Sequence, residues 1–415
     1  MAWEEAVVAA IEFERVPDAG AVDAPATRDA GGPAADTTAA RAGAWGGVLA
    51  AALLLPGLQP AAQAETAPEQ AEVAVKLLSY RDRQPGFDRI KVTAPSVYLM
   101  VPVAGRWSVE GSLVTDSVSG ASPRFHSAVS GASRLDEERK AGDIRVTRYN
   151  DRDAWSVGAA YSTEHDYRSR TVSADYRRSS EDNNTTWNIG AAFGDDWIGS
   201  SNDPTLSRGR NTTQLTAGVT QAWTAVDLVQ LSLGASWGHG MYSDPYKFPD
   251  RRPDRREQYT VMARWNHHFS DWRATLRSSW RYYADSFGVR ANTVEAAWVQ
   301  PLAGGWTLTP MLRYTTQRAA KFYYDPVYDP ALGAPFPPGY TATSPQYLSG
   351  DQRLSAFGAI TAGLKVANEF APRWTADFSL EHYEQRAAWR LGGSGSPGLD
   401  RFQADWLQIG LSHKF

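Results

Sequence analysis

Cysteine is absent from the 415 residues of this chain, so disulfide bonds and metal sites held by thiolates are excluded. A strong charge of either sign is missing too, since the formal net charge is -4 and the sequence pI is about 6.0. Proteins that bind nucleic acid present a basic surface. We therefore expect no nucleic-acid partner.

Enzyme motifs are also missing. The serines and the seven histidines fit neither a G-x-S-x-G nor an H-E-x-x-H pattern, and we predict no catalytic, cofactor-binding or metal-binding residue. His126 and His165 are the histidines to test, although solvated loop residues explain them more simply. Asp325 and Asp329 could bind calcium, but their spacing matches no EF-hand, and a turn-rich loop is the better interpretation.

Long apolar runs are scarce. The strongest, Ala44 to Leu58, is too short to cross a bilayer comfortably as a helix, and Ala62-Gln63-Ala64 after it fits a signal-peptide cleavage site. We predict a signal peptide at 41–64, after a disordered leader or wrongly assigned start at 1–40. A short periplasmic segment at 65–72 follows. An uncleaved signal anchor is the alternative.

What the chain does contain is aromatic residues and alternation. Aromatics make up 12% of the residues, including 16 Trp, and such rings anchor lipid-facing barrels at both membrane interfaces. Segments of roughly ten residues alternate with period two throughout 73–415. Their apolar sides include Trp155, Val157, Ala159, Tyr161; Trp187, Ile189, Ala191, Phe193; Leu231, Leu233, Ala235, Trp237; and Trp374, Ala376, Phe378, Leu380.

The connections between these segments fall into two classes. Short turns occur at Val103–Arg106, Asn150–Asp153, Ser270-Asp271, Leu302–Gly305 and Ala371–Arg373. Long polar segments occur at Ser117–Lys140, Asp195–Arg210, Ser243–Arg256 and Lys321–Gln352. This asymmetry predicts an all-β fold, a transmembrane antiparallel β-barrel of roughly 16 strands with short periplasmic turns and long outer loops. A soluble β-sandwich would also alternate, but it would not explain the apolar run, the aromatics and the loop asymmetry together.

The C-terminal stretch RFQADWLQIGLSHKF supports the same fold. Leu407, Ile409, Leu411 and Phe415 share one side of a strand. A final amphipathic strand that ends on an aromatic residue resembles the closing strand of bacterial outer-membrane barrels. That resemblance implies that Phe415 is an assembly signal read by the barrel-assembly machinery. An ordinary edge strand of a soluble protein is the alternative.

Charged residues on the polar sides of the strands are candidates for the barrel lumen. They are Arg264, Arg273, Arg277, Arg281, Arg313, Asp377 and Glu381, with Glu295 as a further possibility. An arginine ladder could guide anions, since guanidinium stays charged and binds carboxylate or phosphate in a bidentate manner. Alternatively, the charges neutralise one another and simply fill the lumen.

The segment Ser117–Lys140 repeats the motif VSGAS and ends in the charged run DEERK. It could fold into the lumen as a constriction or plug, or it could be a surface loop. The stretches SVSGASPRFHSAVSGASRLDEERKAGDIRVTRY, YSTEHDYRSR and EDNNTTWNIG resemble the uncharacterised outer-membrane family called domain of unknown function 3570, from about Ser79 to Phe415. The resemblance implies an outer-membrane barrel of Gram-negative bacteria and supplies no catalytic or binding residue.

Two main functions follow from these patterns as expectations. The first is a channel or transporter for small polar or anionic solutes, surrounded by outer-membrane lipid. The second is a non-conducting scaffold or anchor that binds envelope proteins through its outer loops. An outer-membrane hydrolase is the third.

Overall fold

A computed structural model describes residues 66–121, 134–247, 250–324, 340–341 and 343–415. Sixteen antiparallel strands close into one barrel, in which each strand pairs with the barrel strands before and after it in the chain and the last pairs with the first. The two remaining strands, Asp250–Arg251 and Leu348–Ser349, pair with each other in the outer connections. The predicted fold class and the strand number are confirmed.

Each barrel strand is 11 to 17 residues long, enough to cross a bilayer at a tilt. The strands are β1 Glu72–Gln84, β2 Phe87–Val103, β3 Trp107–Ala121, β4 Arg134–Tyr149, β5 Asp153–Thr163, β6 Tyr167–Ser179, β7 Thr185–Ile198, β8 Arg208–Ala222, β9 Asp227–Gly240, β10 Asp250–Arg251, β11 Arg255–Phe269, β12 Ala274–Asp285, β13 Arg290–Pro301, β14 Trp306–Arg318, β15 Leu348–Ser349, β16 Phe357–Ala371, β17 Trp374–Arg386 and β18 Phe402–Lys414.

The barrel closes where its first strand pairs with its last. Register runs from Glu72 opposite Lys414 to Arg83 opposite Gln403. Beyond it, Ala71 and Phe415 exchange backbone hydrogen bonds of 2.8 and 2.9 Å. Closure leaves no edge strand with unpaired N–H and C=O groups, which lipid could not satisfy.

Alternation divides every strand between two surroundings. The outward side chains are apolar and exposed, as with Leu113 at 70% exposure, whereas the inward ones are mostly polar and buried, as with Gln214 at 1%. A soluble protein would reverse this arrangement. The apolar outer face is the one that hydrocarbon requires.

The connections show the predicted asymmetry. At the end where Glu72 and Phe415 lie, seven short turns join the strands. One of them places Ala104 and Gly105 at φ 53° and 66°, the left-handed backbone of a tight hairpin turn. Exposed tryptophans cluster at this end: Trp107, Trp272, Trp306 and Trp374.

The bounds of two predicted outer loops are wrong. Within Ser117–Lys140, β3 continues to Ala121 and β4 already begins at Arg134. Within Asp195–Arg210, β7 continues to Ile198 and β8 begins at Arg208. Polar residues there favoured a loop, but an alternating polar segment can extend a hairpin beyond the membrane.

His126, Asp325 and Asp329 lie outside the described residues, as do the predicted leader and signal peptide. Strand β1 begins at Glu72, the last residue of the segment expected to precede the barrel. No helix among the described ranges is long and apolar enough to cross a membrane.

Candidate functional site: the barrel lumen

The lumen is lined by the strand positions that alternate with the apolar outer ones. Arg264 on β11, Arg277 and Arg281 on β12, and Arg313 on β14 all occupy inward positions. We call the inner faces of β11 to β14 the basic wall. Among the fully described residues of these four strands, Glu295 is the one inward carboxylate below the outer-end pair Arg256–Asp285.

Arg273 does not belong to this wall. It lies in the turn before β12, exposed and at φ 50°, and its backbone N–H bonds to Ser270 O at 3.3 Å. Its assignment as a lumen residue was therefore wrong. The strand pattern extended too far because the turn occupies Ser270 to Arg273, two residues longer than the sequence indicated.

Register brings part of the basic wall into one row across the strands. Arg264 pairs with Ser279, which pairs with Glu295, which pairs with Arg313. Arg313 Nε donates to Glu295 Oε2 at 2.6 Å, and Arg264 Nη1 donates to Gln230 Oε1 on β9 at 3.3 Å. The wall is therefore partly neutralised at Arg313, and its excess of positive charge is spread over β11 and β12.

The acidic candidates lie on β17. Glu381 is only 1% exposed and lies beside Gly363 on β16, where an added Cβ would come 2.9 Å from its Cγ and 3.1 Å from Met311 Cε. Asp377 lies similarly over Gly410 on β18. Glycine at both positions leaves space for a carboxylate side chain to lie along the inner surface of the barrel.

The inner faces of β7 to β9 differ from the basic wall, and we call them the neutral wall. Between the turns and the outer-end pair Asp196–Arg210, none of their inward residues carries a charge. Most are small, including Gly190, Ala192, Gly194, Thr212, Thr216, Ser232, Gly234, Ser236 and Gly238. Small side chains extend little into the lumen of a barrel this wide, although neighbouring groups cover them closely, as at Thr212 and Ser232, which are each 2% exposed.

A third group of charges lies on β3 to β6, and the sequence analysis missed it. Arg145 lies between two carboxylates, with Nε 3.5 Å from Glu110 Oε1 and Nη1 3.3 Å from Asp175 Oδ2. Tyr98 donates to Glu110 at 2.9 Å, and Asp143 accepts from Ser112. Extending the alternation of each strand to its polar positions would have revealed these residues.

The outer ends of the strands carry a repeated ion pair that the sequence analysis also missed. Inward arginine–aspartate pairs occur at Arg89–Asp82, Arg139–Asp116, Arg210–Asp196 and Arg256–Asp285. In each pair the aspartate side chain is fully buried. Tyrosine hydroxyls join three of the pairs: those of Tyr80, Tyr167 and Tyr283. These ion pairs depend on contacts between neighbouring strands, so the spacing of residues in the sequence does not indicate them.

Aromatic residues from the outer connections pack at this end of the lumen. Tyr242 and Phe287 meet edge to face with centroids 5.6 Å apart, and Phe322 meets Phe287 at 5.0 Å. The guanidinium of Arg210 lies 5.2 Å from the Tyr242 ring. Gly238 on the neutral wall leaves no room for a Cβ beneath the Tyr242 hydroxyl. The connections therefore reach over the inner wall and narrow the outer mouth.

A buried ion network fixes these connections to one another. Asp351 accepts from Lys247 at 3.0 Å, from Arg252 at 2.6 Å and from Arg353. Burial would raise the pKa of Asp351, but the three cations outweigh it and hold that pKa well below its usual value. Because β10 and β15 also pair here, the outer mouth has a defined shape.

The other candidates have simpler surroundings. His165 is exposed in the turn between β5 and β6. Phe415 is 55% exposed on the outer face and stacks on His413 at 5.8 Å, which stacks on Trp374 at 4.2 Å. Within the described ranges, no three His, Cys, Asp or Glu side chains are grouped so that they could hold a metal ion.

Comparison with known proteins gives a family. The family model described as "Protein of unknown function (DUF3570)" matches residues 126–207 and 200–406. The chain belongs to this family. The matched ranges begin later than the similarity expected from Ser79. A comparison with curated proteins gives no match.

Solved outer-membrane proteins are similar to the DUF3570 chain. A structure titled "Bacterial polysaccharide outer membrane secretin" has a TM-score of 0.47 at 10% identity and covers 83% of this chain and 98% of its own. The outer membrane protein opdK from Pseudomonas aeruginosa has a TM-score of 0.41 at 10% identity, covering 84% and 100%. A loop-deletion mutant of OmpT from Vibrio cholerae has a TM-score of 0.39 at 10% identity, covering 83% and 99%.

Proposed function

We propose that this protein is a channel of the outer membrane for small polar solutes, with a preference for anions. The observation that carries the proposal is the neutral wall. A lumen filled by its own side chains needs bulky inward residues, whereas β7 to β9 turn glycine, alanine, serine and threonine inward. A closed barrel of sixteen strands is wide enough for a water-filled passage. We propose that the passage runs beside this wall, whose short side chains are covered closely by their neighbours but extend little toward the barrel axis.

The outer surface supports the location. Apolar residues face outward on every barrel strand, and tryptophans gather at the end where the short turns and both termini of the barrel lie. This distribution supports an outer-membrane location with that end at the periplasmic interface. The long connections then face the outside.

The basic wall supports the preference for anions. Arg264, Arg277 and Arg281 extend along β11 and β12, and with Arg313 they give this wall, below its outer-end pair, four arginines against one described carboxylate, Glu295. A low-dielectric wall concentrates the field of fixed charges into the lumen. An anion would follow this side, with the acidic residues of β3 to β6 on the far side of the ring.

One observation favours the second candidate, a non-conducting scaffold. Tyr242 lies over the inner face of β9 at Gly238, and the network around Asp351 holds the connections that carry it. A mouth sealed in this way would present a rigid surface to an envelope protein. Channel and scaffold therefore differ in whether this outer mouth conducts.

Planar-bilayer recording of the purified barrel tests the proposal. We expect discrete conductance steps in KCl, and a zero-current potential in a salt gradient whose sign shows chloride to be more permeant. Membrane fractionation should place the protein in the outer membrane with a heat-modifiable gel band. A folded, heat-modifiable barrel that inserts without conducting would favour the scaffold.

A further inference from the structure

A basic patch lies on the outer surface of the barrel above the apolar belt, where β1 and β2 meet β17 and β18. Register places Lys91 opposite Arg81, Arg81 opposite Asp405, and Asp405 opposite His382. All four occupy outward positions, in line with Leu77 on β1 and Ile409 on β18 below them. They are therefore one row around the outside of the barrel.

The row continues into a network of partly exposed ion pairs. Arg83 Nη1 lies 2.9 Å from Asp405 Oδ2, and His382 Nδ1 lies 2.6 Å from Asp405 Oδ1. Further pairs are Arg81–Asp88, Arg386–Glu384 and Arg401–Glu384. The patch, defined as these residues together with Lys91, holds five Arg or Lys against three carboxylates, which leaves an excess of two positive charges.

The height of the patch matches the headgroup level of the outer leaflet. On β1 the outward residues from the turn-side end are Val73, Val75, Leu77, Ser79 and then Arg81. The stretch from Val73 to Arg81 contains nine residues, and a tilted strand crosses the hydrocarbon with about nine to eleven. Arg81 and Lys91 therefore lie where lipid chains give way to headgroups.

Like charges face each other at the centre of the patch. Lys91 and Arg81 are directly opposed across β1 and β2, an arrangement that is unfavourable when nothing lies between the charges. Arg81 forms an ion pair with Asp88, with side chains 48% and 53% exposed, but Lys91 is exposed and forms no ion pair with a described residue. An anion bound between them would relieve the repulsion.

From this arrangement we propose that the patch around Lys91 and Arg81 binds the phosphate group of a membrane glycolipid in the outer leaflet. Arginine provides planar bidentate hydrogen bonds to phosphate, and lysine provides a point charge. The apolar row at Val75, Leu77, Ile409 and Leu407 would contact the acyl chains of the same lipid. The proposal rests on the proposed outer-membrane location but not on conduction, because the patch faces away from the lumen.

Lipid binding to the purified mature protein in detergent tests this site by native mass spectrometry. The probes are bisphosphorylated lipid A, the same lipid without phosphates, and inorganic phosphate. We expect phosphorylated lipid A to bind, and the double variant Lys91→Gln/Arg81→Gln to bind it about thirtyfold more weakly, since two surface cations together contribute about 2 kcal/mol toward an anionic lipid. Arg178→Gln, an outward and exposed arginine at the periplasmic end of β6, is the matched control and should bind as the unmodified protein does.

Heat modifiability in gels establishes that each variant is folded. If the double variant does not assemble, Lys91→Gln carries the test, because this side chain forms no described ion pair to lose. Equal binding of the two forms of lipid A, or an equal loss in Arg178→Gln, would overturn the proposal. Displacement of lipid A by inorganic phosphate at matching concentrations would show a site for the free anion and would overturn the lipid assignment. Channel conductance should stay unchanged in every variant, so failure here and failure of the channel proposal can be told apart.

Discussion

The basic wall and the neutral wall are neighbours in the same barrel, and the strands that form them differ on their inner faces but not on their outer faces. Outward, both sets of strands present aliphatic and aromatic residues, such as Ile189 and Leu233 on β7 and β9 and Val294 and Leu312 on β13 and β14. Inward, one carries four arginines and the other carries none below the outer-end pair. The lipid therefore dictates the outer face, while the inner face is free to vary.

This difference separates stability from function. An outward charge at mid-membrane costs about 2–4 kcal/mol for arginine or lysine, so the outer pattern is constrained everywhere. An inward charge meets water or a partner, as Arg313 meets Glu295. We therefore expect functional residues on the inner faces of strands whose outer faces are alike but whose inward residues differ.

Two inward glycines offer the strongest contrast. Gly234 on the neutral wall has space, because an added Cβ would meet nothing closer than Thr260 Cβ at 3.8 Å, whereas at Gly363 a Cβ would come 2.9 Å from Glu381 Cγ. We predict that the side chain in Gly363→Phe has no room on the inner face of β16. The substitution should lower the free energy of unfolding by about 1–3 kcal/mol and reduce the yield of folded barrel. Gly234→Phe should fold normally and lower single-channel conductance by roughly a fifth to a half.

Folding in lipid vesicles and planar-bilayer recording measure the two effects. Gly234→Ala is the control, since its methyl group adds little bulk and conductance should stay close to that of the unmodified protein. Normal conductance in a folded Gly234→Phe barrel would show that the neutral wall does not border the conducting path.

A smaller effect is expected from the ion pair of the basic wall. Arg313→Ala leaves Glu295 without the partner that now lies 2.6 Å away, and should lower the free energy of unfolding by about 1–3 kcal/mol. Thr216→Ala on the neutral wall should change it by less than about 1 kcal/mol. Urea unfolding in vesicles gives both values.

The double variant Arg313→Ala/Glu295→Ala separates the pair from its surroundings. Because the double variant leaves no unpaired charge, its free energy of unfolding should fall by less than the sum of the decreases in the two single variants. Additive losses would mean that the two side chains contribute independently to this wall.

The smallest effect on the finished fold is expected at the outer face, from Phe415→Ala. The ring is more than half exposed, and the backbone bonds between Phe415 and Ala71 do not depend on it. One exposed ring buries little area at about 25 cal/mol per Å². We predict a sharp fall in outer-membrane level and nearly unchanged heat resistance, on the hypothesis that the residue acts as a signal in assembly.

Western blots of membrane fractions and heat-modifiability curves measure these two quantities. Phe370→Ala, another exposed outward ring near the turns, is the matched control and should assemble at close to the normal level. Normal assembly with a large loss of heat resistance would make Phe415 a packing residue.

Much of the fold could be predicted from the sequence, because period-two alternation determines it directly. The strands that contain Trp155 and Leu231 were predicted correctly, since their large apolar side chains alternate with mostly small residues, such as Ser156 and Ser232. The short turn at Val103–Arg106 was also clear, and Val103 pairs with Trp107 across it. Because lipid contacts each strand directly, the alternation can be recognised within the sequence of a single strand.

The lumen was harder to predict, because its contacts run across strands. Arg264 and Arg313 could be assigned to inward positions from their own strands, but their partners Gln230 and Glu295 depend on register. Arg273 was misplaced because its positive φ belongs to the turn. Contacts between outer connections, such as Lys247 with Asp351, join residues far apart in the chain, and no local pattern indicates them.

The zero-current potential of a charge-reversed basic wall tests the central claim most directly. In one KCl gradient, the unmodified barrel should show a chloride preference, and the variant Arg264→Glu/Arg277→Glu/Arg281→Glu should show a potential of the opposite sign. The reversal follows from the placement of all three arginines on inward positions of β11 and β12. An open, folded barrel with the same sign of potential before and after reversal would contradict the claim that these arginines select the solute.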